Sequence, residues 1–328
     1  MKGIFVAPSC QYYLRKIADE FKDLLGSHYR AFVATLFGHL MGISSSVDVV
    51  RFLMFSPSVS DINRFLNEKD LALRLSRRQR RMVEKIFKLA NSNPNRYIWA
   101  FDDTILPHTG KNIWGAYYWH DHCSNSTIWG HKLLVLGLVD TVKNIFIPVK
   151  WEILHREKSN FVDGHEKGWE VGIRLLNEAR KEGFTSNQLV ADSWFACEEA
   201  FEKLTLMGIK FTMEIKSNRI VEFHKKRRIG NPVNHFFKDI KRTKISFRGR
   251  PKWASSATLR FRNSRIKLKT VAVANKKGLS HEPFSYYVCN QLTWDKNKIW
   301  SLARFRWSIE GVPQKHRECY EQYMTRCA

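Results

Sequence analysis

Residues 97–104 read Tyr-Ile-Trp-Ala-Phe-Asp-Asp-Thr, and this stretch decides the fold class that we predict for the chain. Its five apolar residues follow an Asn-Pro linker at 91–95 and are typical of a short buried strand. The strand runs directly into Asp102 and Asp103. Carboxylates that follow neighbouring strands can converge at one edge of a sheet, so acids at the ends of other strands become candidates for the same site.

Strand-like and helix-like patterns alternate after this stretch. They predict strands at 131–140, 145–154, 188–191, 209–215 and 284–289, and helices at 166–182, 195–207 and 296–310. Asp192 directly follows one of these strands, and Glu310 ends the last helix. The order predicts an α/β protein with a mixed sheet and flanking helices, which opens with a meander of strands.

The first 92 residues predict a helical region. Apolar residues recur at helical spacing in 12–25, 30–40 and 71–89, and Ser60-Asp61 predicts the cap of a helix that begins at Ile62. One face of the 71–89 helix is basic and is offset only by Glu84: Arg74, Arg77, Arg78, Arg80, Arg81, Lys85 and Lys88. Such a face is either solvated or in contact with a DNA backbone, and the charge excess favours DNA.

The charge of the chain points to a polyanionic partner. Lys and Arg number 55 against 31 Asp and Glu, a net charge of +24, and 44% of the residues are hydrophobic, enough for a folded core. Nucleic acid fits this charge best, and an anionic membrane surface is second. The longest apolar run, 133–139, is far short of the roughly 20 residues that a spanning helix needs. Without a convincing secretory signal either, we expect a cytoplasmic protein associated with chromosomal DNA, with no membrane partner.

Much of the charge excess lies in residues 216–270, which hold 18 Lys and Arg against Glu222 and Asp239. Alternating patterns at 247–250 and 258–273 predict a small strand-rich insert. We expect the run Lys225, Lys226, Arg227 and Arg228 to contact DNA phosphates, the alternative being a solvated surface. Trp194 and Trp253 either stack on bases or pack in the protein.

The six cysteines form no CxxC pair, which favours free thiols in a reducing compartment. The cluster His120-Asp121-His122-Cys123, with His131, has the ligand types of a zinc site. However, adjacent residues on a strand point to opposite faces, so ordinary loop and core positions are favoured.

The strand-end acids suit a different metal. Asp102 or Asp103, Asp192 and Glu310 supply the hard oxygen ligands that Mg²⁺ and Mn²⁺ prefer, and two such ions can support an in-line phosphodiester displacement. Taken singly, each acid is more often a turn residue or helix cap. Their combination in order with the basic segments favours a metal site for phosphodiester chemistry.

These residues also carry a resemblance to the DDE transposases of bacterial insertion sequences. The family's first-aspartate motif is matched in this chain by Phe-Asp-Asp-Thr at 101–104 with Thr-Gly-Lys at 109–111. The strand that follows that motif in the family is matched by Gly-His-Lys-Leu-Leu at 130–134. The second-aspartate motif resembles Val-Ala-Asp-Ser-Trp-Phe at 190–195, and the Tyr–Arg–Glu–Lys signature resembles Arg-Trp-Ser-Ile-Glu at 306–310. The similarity spans about two thirds of the chain.

The resemblance implies a ribonuclease-H-like catalytic core, with Asp102, Asp192 and Glu310 as ligands of Mg²⁺ or Mn²⁺. Asp103 is the alternative first ligand. It also implies that Arg306 contacts a DNA phosphate, and that the protein acts on double-stranded DNA as a homodimer. The implied reaction is hydrolysis at transposon ends followed by strand transfer into target DNA. The segments are then an N-terminal helical, DNA-binding region (1–92), a first core part (93–215), a basic β-rich insert (216–283) and a last core part (284–328).

The sequence departs from the family pattern near its end. The signature tyrosine falls at Ala303, and Gly311 and Pro313 interrupt the helix that should continue past Glu310. We therefore expect a chain truncated or frameshifted after Glu310. Two alternatives to an active transposase follow: a catalytically inactive DNA-binding remnant, and a structure-specific nuclease on the same fold.

Overall fold

The computed structural model of this chain describes residues 22–40, 47, 50, 57–66, 78, 96–108, 110, 113–121, 125–156, 166–222, 230–247, 249–262, 264–277 and 283–306. The chain divides into two compact units, Met1–Leu89 and Ala90–Ala328. Within the described ranges, no helix combines the length and the apolar character needed to cross a membrane. Cys197 and Cys289, the cysteines in those ranges, are free thiols.

Helices form the described part of the first unit. They are α1 (Lys22–Leu25), a 3-10 helix (Gly26–His28), α2 (Tyr29–Leu40) and α3 (Val59–Leu66). α2 and α3 pack through a buried apolar cluster that includes Ala31, Ile62 and Phe65. α3 begins earlier than the predicted cap because Ser58 and Asp61 cap it. The Asp61 N–H donates to the Ser58 hydroxyl, and the Ser58 N–H donates to the Asp61 carboxylate.

The second unit is built on a mixed sheet. Its first six strands are β1 (Tyr97–Pro107), β2 (Tyr117–Asp121), β3 (Ser126–Asp140), β4 (Ile145–Leu154), β5 (Gln188–Ala191) and β6 (Lys210–Ile215). They are ordered β4–β3–β1–β5–β6, with β2 beside the first part of β3. β1, β5 and β6 are parallel, whereas β3 is antiparallel to both β1 and β4. Helices α4 (Gly168–Lys181) and α5 (Glu198–Leu206) precede and follow β5. This is the predicted α/β, ribonuclease-H-like sheet.

β1 is longer than the strand predicted at 97–101. All 11 of its residues pair with β3, from Tyr97 opposite Asp140 to Pro107 opposite Gly130. Its pairing with β5 covers only Trp99 and Ala100. Asp102 and Asp103 therefore lie inside the strand, but just beyond its parallel pairing.

The remaining strands extend the same sheet. They are β7 (Ile220–Glu222), β8 (Asn231–Pro232), β9 (Thr243–Phe247), β10 (Arg250–Phe261), β11 (Lys267–Ala274) and β12 (Ser285–Cys289). β12 pairs with β6, and the path continues through β11 and β10 to β7 and β8. A short helix, α6 (Val233–Phe236), follows β8, and α7 (Lys296–Phe305) follows β12. The predicted boundaries after residues 92, 215 and 283 remain predictions.

Two helical layers cover opposite faces of the sheet at β1. On the α4 face, Phe101 stacks on Phe195 with ring centroids 5.4 Å apart, and a Cβ on Gly172 of α4 would lie 3.3 Å from its ring. On the α7 face, a buried cluster formed by β1, β3 and β5 meets partly buried apolar side chains of α7. The cluster comprises Ile98, Ala100, Val139 and Val190, with Phe146, Leu302 and Phe305 packed against it. These faces decide where each neighbouring polar side chain points.

Candidate active site

Three acidic residues fall at one level on the parallel strands. Ala100 pairs with Val190, so continuing the register of β1 and β5 by two residues sets Asp102 beside Asp192. Ala191 pairs with Met213, so one further step sets Asp192 beside Glu214 on β6. Neighbouring strands lie about 4.8 Å apart. Continued in this way, the register sets Asp102 and Asp192 at the same level, at the carboxyl edge of the parallel strands.

Asp102 and Asp103 point to opposite faces because consecutive side chains alternate on a strand. Asp102 points to the same face of β1 as Ile98 and Ala100, the face that α7 covers. Asp103 points to the same face as Phe101, the face that α4 covers. Its carboxylate lies 3.1 Å from the Lys132 ammonium. The two aspartates therefore have different surroundings, and Asp103 already has a cationic partner.

Asp192 shapes the turn that leaves β5. Its carboxylate accepts the backbone N–H of Trp194 at 2.8 Å. This bond, between a side chain and the backbone two residues on, is the Asx turn that aspartate favours. Asp192 therefore acts as a turn residue, which was one of the two interpretations that the sequence allowed. Only one of its carboxylate oxygens accepts this bond.

Glu214 was not predicted as part of the site. One of its carboxylate oxygens lies 3.9 Å from a guanidinium nitrogen of Arg306, and the other accepts the Ser285 hydroxyl at 3.1 Å. Burial, together with the negative charge of Glu214, raises the pKa of Tyr287 on β12 to about 12. The only sequence signal was a charged residue within the apolar run Phe-Thr-Met-Glu-Ile at 211–215. The pair with Glu214 ties the end of α7 to β6, and it places Arg306 against the sheet with only 13% of its side chain exposed.

The donor set fits a hard divalent cation only in part within the described residues. In these ranges, no group of three or more His, Cys, Asp or Glu side chains lies close enough to hold a metal. Asp102 and Asp192 supply two carboxylates, the ligand type that Mg²⁺ and Mn²⁺ prefer. The third predicted ligand, Glu310, lies outside the described residues.

The alternative zinc cluster is not assembled in the described residues. Both ring nitrogens of His131 are engaged, with His108 at 2.8 Å and with the Trp114 carbonyl at 2.7 Å. Since a carbonyl only accepts, His131 donates to Trp114, and its other nitrogen accepts from His108. His120 lies opposite Thr127 on the β2–β3 hairpin, while His122 and Cys123 lie outside the described residues.

Most of the basic residues predicted to bind DNA cannot be placed. Arg78 is described and is half-buried. Apart from Arg306, described above, the others lie outside the described residues: Arg77, Arg80, Arg81, Lys225, Lys226, Arg227 and Arg228. Their role remains a prediction from the charge pattern.

Two cavities lie beside the turn that follows β5, and Trp194 lines both. The first, of about 460 Å³, is largely aromatic and is lined by Tyr117, Trp119, Leu154, His155, Arg156, Glu166, Lys167, Gly168, Trp169 and Trp194. The second, of about 600 Å³, is more polar and is lined by Ser193, Trp194, Glu198, Lys216, Asn218, Arg219, Ile220 and Arg262. Only Trp194 among these was singled out from the sequence, because the rest come together through the fold.

Comparison with known proteins gives one family match. Residues 45–273 match the family described as "DDE superfamily endonuclease". This range includes Asp102, Asp103 and Asp192, and it ends before Glu310.

Among solved structures, a similar one is a cryo-EM structure of the piggyBac transposase synaptic complex with hairpin DNA, with 15% identity and a TM-score of 0.44. The similarity covers 88% of this chain and 60% of that chain. No curated protein matches.

Proposed function

This chain belongs to the DDE superfamily of endonucleases, and from that premise we propose that it is a DNA transposase. In this proposal it hydrolyses phosphodiester bonds at transposon ends and joins the freed 3′-hydroxyl to target DNA. The observation that supports the proposal is the parallel register of β1 and β5, in which Ala100 pairs with Val190, so that Asp102 and Asp192 each follow two residues later. Two carboxylates at one level can share a divalent metal ion, which phosphodiester chemistry uses, whereas a single carboxylate in a turn cannot.

Each side chain has a role in this proposal. Asp102, Asp192 and Glu310 would hold Mg²⁺ or Mn²⁺, and the bound metal would stabilise charge on the attacking and leaving oxygens. Asp192 also keeps its bond to the Trp194 N–H, which fixes one of its oxygens. Arg306, held near Glu214, would contact a DNA phosphate at the end of α7.

The proposed partners are the two transposon ends and the target, all double-stranded DNA, bound by a homodimer. A net charge of +24 supports a polyanionic partner of this size. Two copies of the chain would engage the two ends of one element.

Cleavage of the DNA that flanks the gene on each side tests the proposal. With Mg²⁺ or Mn²⁺, the wild type should cleave a duplex from these flanks, and EDTA should stop it. Asp102→Asn and Asp192→Asn should abolish cleavage while duplex binding, measured by fluorescence anisotropy, persists. An asparagine at 192 still accepts the Trp194 N–H, so the turn should survive the change.

Asp103→Asn is the matched control, because it alters the adjacent carboxylate on the other face. Its cleavage rate should stay within about tenfold of wild type, or about 1.4 kcal/mol in activation free energy. Normal cleavage by Asp192→Asn would refute the proposed site. Loss of cleavage in Asp103→Asn with normal cleavage in Asp102→Asn would transfer the ligand role to Asp103.

A further inference from the structure

We propose that the aromatic cavity beside Trp194 binds one unstacked nucleotide of the DNA, with its base against the aromatic walls and its phosphates on the basic side chains at the rim. The inference rests on the proposed function, since it takes DNA as the substrate. It adds a specific recognition site on the α4 face, separate from the aspartate pair on the α7 face.

Four of the side chains that line the cavity are large aromatic rings. Tyr117 and Trp119 come from β2, Trp169 from the start of α4, and Trp194 from the turn after β5. Trp119 is 3% exposed and forms a buried wall, whereas Trp194 is 37% exposed. The volume of about 460 Å³ lies within the about 300–1,000 Å³ that is usual for ligand sites. Aromatic side chains grouped in this way are the surfaces on which unpaired bases stack.

The cations around these rings give the cavity its electrostatic character. Lys132 lies 4.0 Å from the ring centroid of Trp194, and Arg156 lies 4.9 Å from that of Trp119. Glu166, the acid in the lining, lies 2.8 Å from Arg174, which also pairs with Glu152 at 2.6 Å. Arg156 and Lys167 outnumber Glu166 in the lining, so these three side chains together give the rim a net positive charge. Aromatic walls with a positive rim match a ligand that is both planar and anionic, which describes a nucleotide.

The backbone of α4 is shaped to seat Trp194. A Cβ on Gly168 would lie 2.1 Å from the indole ring of Trp194, so glycine permits the close approach. Phe195 also packs edge-on against this indole, with centroids 4.9 Å apart. Trp194 is therefore held in place, between the aromatic cavity and the polar cavity that contains Lys216, Arg219 and Arg262. A DNA strand that crosses Trp194 would find aromatic surface on one side and basic side chains on the other.

The experiment separates base recognition from phosphate binding. Affinity is measured in EDTA for two short single-stranded oligothymidines, one intact with a single 2-aminopurine and one with abasic sites at every position. Trp194→Ala should weaken binding of the intact strand about 5- to 100-fold, and leave the abasic strand unchanged. The 2-aminopurine fluorescence should be quenched by the wild type and much less by the variant.

Trp194→Phe and Trp194→Leu guard against a folding defect, since both keep apolar packing on Gly168. The phenylalanine variant should retain most of the preference for the intact strand, and the leucine variant should lose it. Trp151→Ala, which removes an exposed tryptophan from β4, is the matched control and should behave as wild type.

Equal weakening on both strands, or no weakening on either, would overturn the proposal, and so would free dTMP that competes as tightly as the strand. Because these measurements exclude metal, they are independent of cleavage. If the wild type cleaves flanking duplex but shows no preference for the intact strand, only the proposed nucleotide site is refuted. If the wild type binds no DNA at all, the proposed transposase function is refuted as well.

Discussion

At the scale of single residues, neighbours in the chain acquire different chemistry from the face they occupy. Asp103 lies beside Lys132, whose ammonium also lies over Trp194. Asp102, one residue earlier, is in step with the apolar cluster under α7. The two neighbouring carboxylates therefore have different surroundings: Asp103 lies beside a lysine, and Asp102 lies on the face that α7 covers.

Gly168 offers a sharp test of how Trp194 is held. Gly168→Ala adds a methyl group where the indole ring now lies, so the ring or the helix must shift, at a cost of about 1–3 kcal/mol in unfolding free energy. Chemical denaturation of the variant should show this loss.

A double-mutant cycle isolates the contact. In a Trp194→Ala background the methyl group meets no indole, so Gly168→Ala should cost far less. A loss of the same size in both backgrounds would mean that the alanine disturbs the start of α4 itself, and that the close approach to Trp194 is unimportant.

At the scale of elements, the turn between β3 and β4 is held by a charge pair between the buried Asp140 and the partly exposed Arg96. The Asp140 carboxylate accepts two bonds from Arg96, at 2.6 and 3.0 Å, and the N–H groups of Val142 and Lys143. Burial alone would raise the pKa of Asp140, but the bonds from Arg96 and the two backbone N–H groups outweigh it and lower the pKa below its usual value. The ionised form is therefore the one that stabilises the fold.

Asp140→Asn should destabilise the second unit by about 2 kcal/mol at neutral pH. Because the folded pKa is lowered, this stabilisation is present above the ordinary pKa of 3.8 and is lost as the pH falls through the folded value. Thermal unfolding of both proteins at pH 7 and below pH 4 should show a gap that narrows in acid. Val142→Ala, at a residue 75% exposed on the same turn, should change little. A gap that stays constant with pH would mean that the charge of Asp140 does not matter.

Local patterns in the sequence predicted most of the elements but not their full extents. β4 and β5 match the predicted 145–154 and 188–191, because their apolar residues end where pairing ends. β1 runs six residues past its predicted end because β3, a distant segment, continues to pair with it. The aspartates could be found from the sequence as acids following apolar strands. The pairs Glu214–Arg306 and Asp103–Lys132 could not, since each depends on how separate strands and helices meet.

At the scale of the whole molecule, the excess positive charge and the proposed metal ligands lie in different segments of the chain. Asp102 and Asp192, the proposed metal ligands, follow the parallel pairing of β1 and β5, whereas residues 216–270 carry a net charge of +16, two thirds of the excess in the chain. Strands β7 to β11 within 216–283 continue the same sheet outward from β12. In the proposed function, this basic segment would bind the DNA backbone, while the aspartates would act on a single phosphodiester bond.

The basic run Lys225, Lys226, Arg227 and Arg228, which lies outside the described residues, should contribute to DNA affinity through phosphate contacts. Each neutralised phosphate adds about 0.9 to the slope of log affinity against log salt, so alanine at all four should flatten the slope by up to about 3.6. Affinity should fall for every duplex sequence alike, because phosphate contacts carry little sequence information. The matched control replaces four exposed basic residues near the amino ends of the parallel strands: Lys143, Arg180, Lys181 and Lys210. Titration of a labelled duplex at several salt concentrations compares the two quadruple variants with wild type. If both variants flatten the slope equally, the effect comes from net charge alone and the basic run has no special place in binding DNA.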